Sequence, residues 1–208
     1  MVNIKTTMST PKIISIEALI GAGKSTLLQR IEDRGYTVVY EPINQWENWY
    51  GTNPLKEMYM DDSNSKMLHF QLLALATRTD SIKSLLRNSS SSHKDNTIFV
   101  ERLAGISEDI FMQIALQDGK LTQAEIRTLQ LTASLMHLPK ADKIVYLNTD
   151  LCEITRRVKR RSRESESTMC DDLNLRLKKI HDKQFLSSTC IIMNNNEEAD
   201  IDKMLRDI

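Results

Sequence analysis

Three cysteines, Cys152, Cys170 and Cys190, are too few and too widely spaced to frame a fold with disulfides, and they fit a reducing, intracellular compartment. No stretch approaches the roughly 20 apolar residues of a membrane span. The opening segment, MVNIKTTMSTPK, lacks the apolar middle of a signal peptide. Its Thr, Ser and Lys content is faintly like a transit peptide, but it is short and holds no arginine, so the expected location is cytoplasmic rather than mitochondrial. Charge of one sign is also missing. Lys and Arg number 28 against 28 Asp and Glu, which gives no general reason to expect a nucleic acid or an anionic membrane as partner. Any basic function must be local. The histidines, His69, His93, His137 and His181, show no metal-ligand spacing.

What is present reads as one domain. Residues 1–11 are expected to form a flexible tail and 12–208 a single domain large enough to bury a core. Five short runs rich in Ile and Val stand out: KIISIEAL (12–19), TVVYE (37–41), TIFVE (97–101), KIVYLN (143–148) and TCIIMN (189–194). Such runs are too short for good helices and are how buried parallel strands look. Between them the apolar spacing is helical. Leu68, Leu72, Leu75 and Ala76 form a stripe continuing to Ile82 and Leu86, and Ile106, Ile110, Ile114 and Leu121 repeat more loosely. The alternation predicts a doubly wound α/β domain, a five-stranded parallel sheet with helices on both faces and right-handed crossovers. NSSSSHKDN (88–96) reads as a polar connector. The closing NEEADIDKMLRDI predicts a last helix with an acidic first turn, packing Ile201, Met204 and Leu205.

Ser15–Thr26 reads SIEALIGAGKST, one residue short of the phosphate-binding loop G-x-x-x-x-G-K-[ST], because Ala18 stands where the first glycine belongs. Its context is right: a strand precedes it and a helix follows, ending near Gly35. Gly21, Ala22 and Gly23 bring backbone N–H groups toward phosphate oxygens at a helix N-terminus. Lys24 supplies a cation for the β- and γ-phosphates, Ser25 a hydroxyl for Mg²⁺, and Thr26 completes the loop. Alanine at position 18 costs on the order of 1 kcal/mol if that residue needs a positive φ, and little otherwise.

Other chemistry-bearing residues fall at strand ends. Glu41 follows the second strand in EPINQW (41–46), where a parallel sheet binds ligands, although such a carboxylate can also cap a helix. Glu101 and Arg102 close the third strand in ERLAG, at the same edge. RRVKRRSRESE (156–166) suits a solvated helix face or a mobile flap that neutralises a phosphoryl group in flight. The acids Glu164 and Glu166 argue against a nucleic-acid stripe.

In this order the pieces resemble the deoxynucleoside kinase family over about Ile13 to Leu186. IEALIGAGKSTLL resembles I-E-G-N-I-G-[SA]-G-K-S-T-L, EPINQW resembles E-P-V-x-x-W, and ERLAGISEDIF resembles E-R-S-x-x-S-x-x-x-x-F. EMYMDDSNSKMLHFQLLALATR is similar to the substrate helix region, and KIVYLNTDLCEITRRVKRRSRESE to the fourth strand and lid. The resemblance implies a P-loop kinase fold with an arginine-rich lid at about 157–167. It implies ATP and Mg²⁺ as cofactors, and transfer of the γ-phosphoryl group to the 5′-hydroxyl of a deoxynucleoside. Glu41 would be the general base, Arg102 would sit near the 5′-oxygen, and Arg157, Arg161 and Arg163 would be lid arginines. Ser25 and Glu101 would hold the metal. Trp46 would line the sugar and base pocket, with Tyr59 and Glu166 on the sugar 3′-hydroxyl and Gln71 on a base edge. Arg78 occupies the base-site arginine position of deoxycytidine-type members, but Ser107 stands where they keep its acid, which leaves the base open. The resemblance also implies a homodimer through long helices around 64–87 and 104–119.

The chain departs from the pattern at Ala18, at Leu103 and Ile106 in place of serines, and at Leu151 in place of a proline, which points to a divergent member such as a viral one. A nucleoside monophosphate kinase such as thymidylate kinase is the alternative, since it shares fold and loop, though it usually carries Asp-Arg where this chain has Glu101 and Arg102. A non-catalytic nucleotide-binding module is a further alternative, against which the retained acids and arginines speak.

Overall fold

The computed structural model describes residues 10–60, 64–88, 93–161, 171–195 and 200–208. The five Ile/Val runs make one sheet of parallel strands, β1 (Lys12–Glu17), β2 (Thr37–Val39), β3 (Thr97–Glu101), β4 (Lys143–Asn148) and β5 (Ile191–Asn194), in the order β2-β3-β1-β4-β5. Every neighbouring pair is parallel. The chain builds one side of the sheet as far as β3, then crosses to the other side of β1 for β4 and β5. The carboxyl edge beside β1 is therefore the switch point at which open α/β sheets take ligands.

Strand alternation sends side chains to two layers of helix. Ile14 and Ile16 of β1 and Phe99 of β3 join a core with Leu27, Leu28 and Ile31 of α1 (Lys24–Glu32) and with Ile201 and Met204 of the C-terminal helix (Ile201–Asp207). Ile13, Ile98 and Val100 face the other way, onto Ile82 of α4 (Asn64–Asn88). This is the two-faced burial that turns central parallel strands into continuous apolar runs. The last helix packs Ile201, Met204 and Leu205 as expected and begins under Asp200, whose carboxylate accepts from the Lys203 amide.

Several boundaries differ from the sequence reading. β1 stops at Glu17 and β2 at Val39, where the chain leaves the sheet at the ligand edge, and β5 starts at Ile191 at the opposite edge, where its pairing with β4 begins. Helix α5 (Ser107–Gln117) begins after a turn, and α1 ends at Glu32 before a turn closed by Gly35 at φ 86°. The predicted α4 stripe is half the story. Leu68 and Leu72 pack toward α5 and α6 (Gln123–Leu135), whereas Phe70, Leu73 and Ala74 form a second apolar side that closes a separate cluster with Trp46, Leu55 and Met58. These last residues come from α2 (Ile43–Glu47) and α3 (Pro54–Met60). The start of α6 was legible in principle: Thr122 and Glu125 form a reciprocal capping box, the T-x-x-E signature of a helix start. Likewise Pro54 opens α3, a position where its missing N–H costs nothing.

Ala18 follows β1 without a positive φ and is fully buried in the main core. The methyl group therefore fits without backbone strain. Ala18→Gly is expected to lower stability by about 1 kcal/mol, mostly by loosening the unfolded chain, and to leave turnover nearly unchanged. Urea unfolding and steady-state turnover check this, and a large gain in turnover would show that the methyl obstructs the loop.

Candidate active site

A cleft of about 540 Å³ opens at the carboxyl edge of the sheet, within the size range of small-molecule sites. Its floor is the glycine loop. Gly21 and Gly23 have φ of 82° and 98°, which a side chain rarely tolerates, and both are tightly overlaid. A Cβ on Gly21 would lie 2.6 Å from Cγ2 of Val158, and one on Gly23 would lie 2.7 Å from Nδ2 of Asn195. The loop is thus pressed beneath α7 (Leu151–Arg161) and the end of β5. Gly21, Gly23, Lys24, Ser25 and Thr26 line the cleft, while Ala18 and Ala22 are buried.

Buried charge surrounds this floor. The ammonium of Lys24 donates to the carbonyls of Ala18 and Leu19 at 3.3 and 3.1 Å. Burial, and secondarily the Arg102 guanidinium, pushes its pKa down to about 7 against the opposing pull of Glu41, Glu101 and Glu17. Glu41 lies just beyond β2 with a side chain 3% exposed. Its Oε2 accepts from Nη1 of Arg102 at 2.7 Å, and its Oε1 pairs with Nη2 of Arg78. Burial alone would raise the Glu41 pKa, but Arg102, Arg78 and Lys24 outweigh it and hold the carboxyl at about 2. The second nitrogen of the Arg102 fork, Nη2, donates to the Ala18 carbonyl at 2.9 Å. Glu41 and Arg102, sixty-one positions apart in the chain, are thereby locked together at one strand edge.

Ser25 and Glu101 meet as the sequence suggested. The Ser25 hydroxyl donates to Oε1 of Glu101 at 2.8 Å, and Oε2 of the same carboxylate accepts from the Glu41 amide at 3.3 Å. A hydroxyl and a single carboxylate at a phosphate loop are hard oxygen donors that fit Mg²⁺, which binds through one or two protein groups plus phosphates. Among the described residues no group of three or more His, Cys, Asp or Glu could cage a metal without phosphate help.

The outer cleft is aromatic and apolar. Trp46 is 2% exposed, donates its indole N–H to Oγ1 of Thr77 at 2.9 Å and meets Phe70 edge to face at 5.4 Å. Arg78 lies over the Trp46 ring, 5.0 Å from its centroid. Tyr59 and Gln71 line the same cleft. Gln71 is buried, and its amide nitrogen donates to the Met67 sulfur at 3.6 Å, a weak partner for a buried amide. Ser107 and Glu108 open α5, and their side chains lie outside the described residues.

Of the predicted lid, Arg157 and Arg161 line the cleft and Arg160 joins them, whereas Arg163 and Glu166 lie outside the described residues. Arg157 is turned inward: Nη1 donates to the Ala22 carbonyl at 3.0 Å and Nη2 to the Asn195 carbonyl at 2.9 Å, while Glu153 accepts from Nε at 2.6 Å. Thr149 and Asn195 add donors to the same Ala22 oxygen at 3.1 and 2.7 Å. Sequence reading missed Asn195, Thr149 and Phe111, whose ring faces Arg102 at 5.8 Å. Phe111 had a signal, since it closes the E-R-S-x-x-S-x-x-x-x-F pattern; Asn195 and Thr149 had none, because only the sheet brings them to the loop. No helix among the described residues is long and apolar enough to cross a membrane.

Comparison with known proteins agrees with this geometry. A family model described as deoxynucleoside kinase matches residues 14–207. The chain is 35% identical over 185 residues to a Fowlpox virus protein named "Probable deoxycytidine kinase", covering 85% of this chain and 71% of that one. It is 25% identical over 159 residues to the deoxyadenosine/deoxycytidine kinase of Bacillus subtilis, covering 74% of this chain and 67% of the relative. To human mitochondrial thymidine kinase 2 it is 29% identical over 165 residues, 76% of this chain and 58% of that protein. With its five-stranded parallel sheet, its glycine loop and a family match over nearly its whole length, this chain belongs to the deoxynucleoside kinase family.

Proposed function

We propose that this kinase transfers the γ-phosphoryl group of ATP to the 5′-hydroxyl of a deoxynucleoside, with Glu41 as general base. The observation that carries the reading is a buried carboxylate at the sheet edge, paired with Arg102 and lining the same cleft as the phosphate loop. An alcohol must lose its proton as it attacks phosphorus, and a positioned carboxylate accepts it. An acceptor that is already a phosphate needs no such base. Arg102 lies beside the oxygen that attacks and steadies the charge developing there.

Gly21, Gly23 and Lys24 cradle the triphosphate, whose charge would draw Lys24 back toward its ammonium form. Ser25 and Glu101 would hold Mg²⁺, which neutralises charge on the donor's β- and γ-oxygens. Trp46, Tyr59 and Gln71 frame the nucleoside, with Arg78 at the base edge and Glu166 on the sugar. Arg157, Arg161 and Arg163 belong to a lid spanning about 157–167 on a single domain of 12–208. We further propose a homodimer through the helices around 64–87 and 104–119. Exposed Leu131 and Leu135 on α6, which packs against α4, extend the apolar surface available to it. A cytoplasmic location fits the need for ATP.

Phosphoryl transfer from γ-labelled ATP with Mg²⁺ tests the assignment against thymidine, deoxycytidine, deoxyadenosine, deoxyguanosine and dTMP in parallel. Monophosphate from a nucleoside is expected, and its identity settles the base preference. Faster turnover of dTMP than of every nucleoside would move the chain's activity to that of a monophosphate kinase.

A further inference from the structure

Six charged residues are buried among the described residues: the cations Lys24, Arg78 and Arg102 and the carboxylates Glu17, Glu41 and Glu101. Five of them line the cleft; Glu17 does not. It is also fully buried, at 0% exposure. Burying a carboxylate is costly unless hydrogen bonds and opposite charge compensate it, so its place requires a reason beyond filling space.

The contacts of Glu17 supply one. At the end of β1, Oε1 accepts from the Ser15 hydroxyl at 2.6 Å and from the Leu103 amide at 3.2 Å. Oγ of Ser15 accepts from the same Leu103 amide at 3.0 Å. One residue earlier, the Arg102 amide donates to the Ile16 carbonyl at 3.2 Å. Between these two tethers Arg102 holds φ at 57°, a conformation unfavourable for a residue with a Cβ. Such a backbone persists only where its surroundings impose it. Here it aims the guanidinium fork at Glu41 and the Ala18 carbonyl together. The tether uses the backbone of residue 103, which is why Leu103 can stand in a position where a serine was expected.

We infer that Glu17 and Ser15 are positioning residues that clamp the turn after β3 and thereby fix Arg102 on Glu41. The inference rests on the proposed role of Arg102 in phosphoryl transfer, but the clamp itself can be read independently. Glu17→Leu removes the acceptor, Glu17→Gln keeps one oxygen for the Leu103 amide, and Ser15→Ala removes only the hydroxyl. Glu17→Leu is expected to lower kcat by ~10²-fold, as a misplacement of about 1 Å does, with the KM for ATP little changed. Glu17→Gln should recover most of that loss, and Ser15→Ala should lose about 10-fold. With Arg102→Lys already in place, Glu17→Leu and Ser15→Ala should cost little more, because coupled residues are not additive. Hydrogen exchange over residues 100–106 should quicken in Glu17→Leu and Ser15→Ala, whichever acceptor the enzyme phosphorylates. Unchanged exchange in both variants would overturn the clamp, as would equal losses of kcat with and without Arg102→Lys. Should Glu17→Leu fail to fold, Ser15→Ala decides both readouts. A wild-type enzyme active only on dTMP would overturn the proposed acceptor, while exchange would still decide the clamp.

Discussion

Glu41→Gln is expected to lower turnover by ~10²–10⁴-fold while ATP and deoxynucleoside still bind. Glutamine keeps the size of the side chain and one oxygen able to accept from Arg102 or Arg78, but it has no proton affinity to offer. The wild-type carboxyl is held at about 2 by Arg102, Arg78 and Lys24, so it is ionised at any pH at which a kinase works. The loss in the variant therefore reports a missing proton acceptor and not a wild-type carboxyl that is only partly ionised. Equilibrium binding of both substrates, measured beside turnover, separates a lost base from a collapsed cleft. Turnover near the wild-type level would refute the role of Glu41. Because two buried arginines lose part of their counter-charge, thermal unfolding of the variant belongs in the same experiment.

Trp46→Ala is expected to cost ~3–5 kcal/mol of stability, the range for truncating a large buried aromatic side chain. Trp46 sits between Phe70 and Arg78 and anchors α2 to α4 through Thr77, so the loss combines packing, an edge-to-face contact and a hydrogen bond. The same ring walls the cleft. Trp46→Phe, which keeps much of the apolar contact but not the N–H donor, should lose far less stability and still raise the KM for nucleoside more than that for ATP. Denaturant unfolding of both variants, with KM values for both substrates, checks this. An alanine variant of wild-type stability would deny the cluster its structural role, and an unchanged nucleoside KM in Trp46→Phe would remove the ring from the substrate site.

These two residues show why the sequence was readable where it was. The likeness of EPINQW to E-P-V-x-x-W picked out Trp46, and position at a strand end marked Glu41 as a candidate. The same holds for Lys24 and Ser25 in the loop, and for Glu101 and Arg102 at the end of β3. Parallel strands buried on both faces must be continuous apolar runs, which made the sheet legible as five strands, and its ligand edge followed from where each run stopped. Local signals did not reveal which residues would converge. Arg78, expected at a base edge, also pairs with Glu41, thirty-seven residues away. Arg157, read as part of a flap, also donates to the backbone of Ala22 and Asn195. Glu17 looked like one more residue of a strand and proved to be a buried acid tied to Leu103, across the β1–β3 pairing.

The physical reason is the range of the interactions. Strand, loop and helix identities come from backbone sterics and apolar periodicity within a dozen residues, and these are written in linear order. Ion pairs and hydrogen bonds between strand ends depend on sheet order, which places β3 beside β1 and β5 beyond β4 only after the crossovers are made. Linear order therefore established the fold class, the phosphate loop and the acids and arginine that stand at the ligand edge. Tertiary structure decided which guanidinium holds which carboxylate, because only packing removes the water that would otherwise make those charges indifferent to one another.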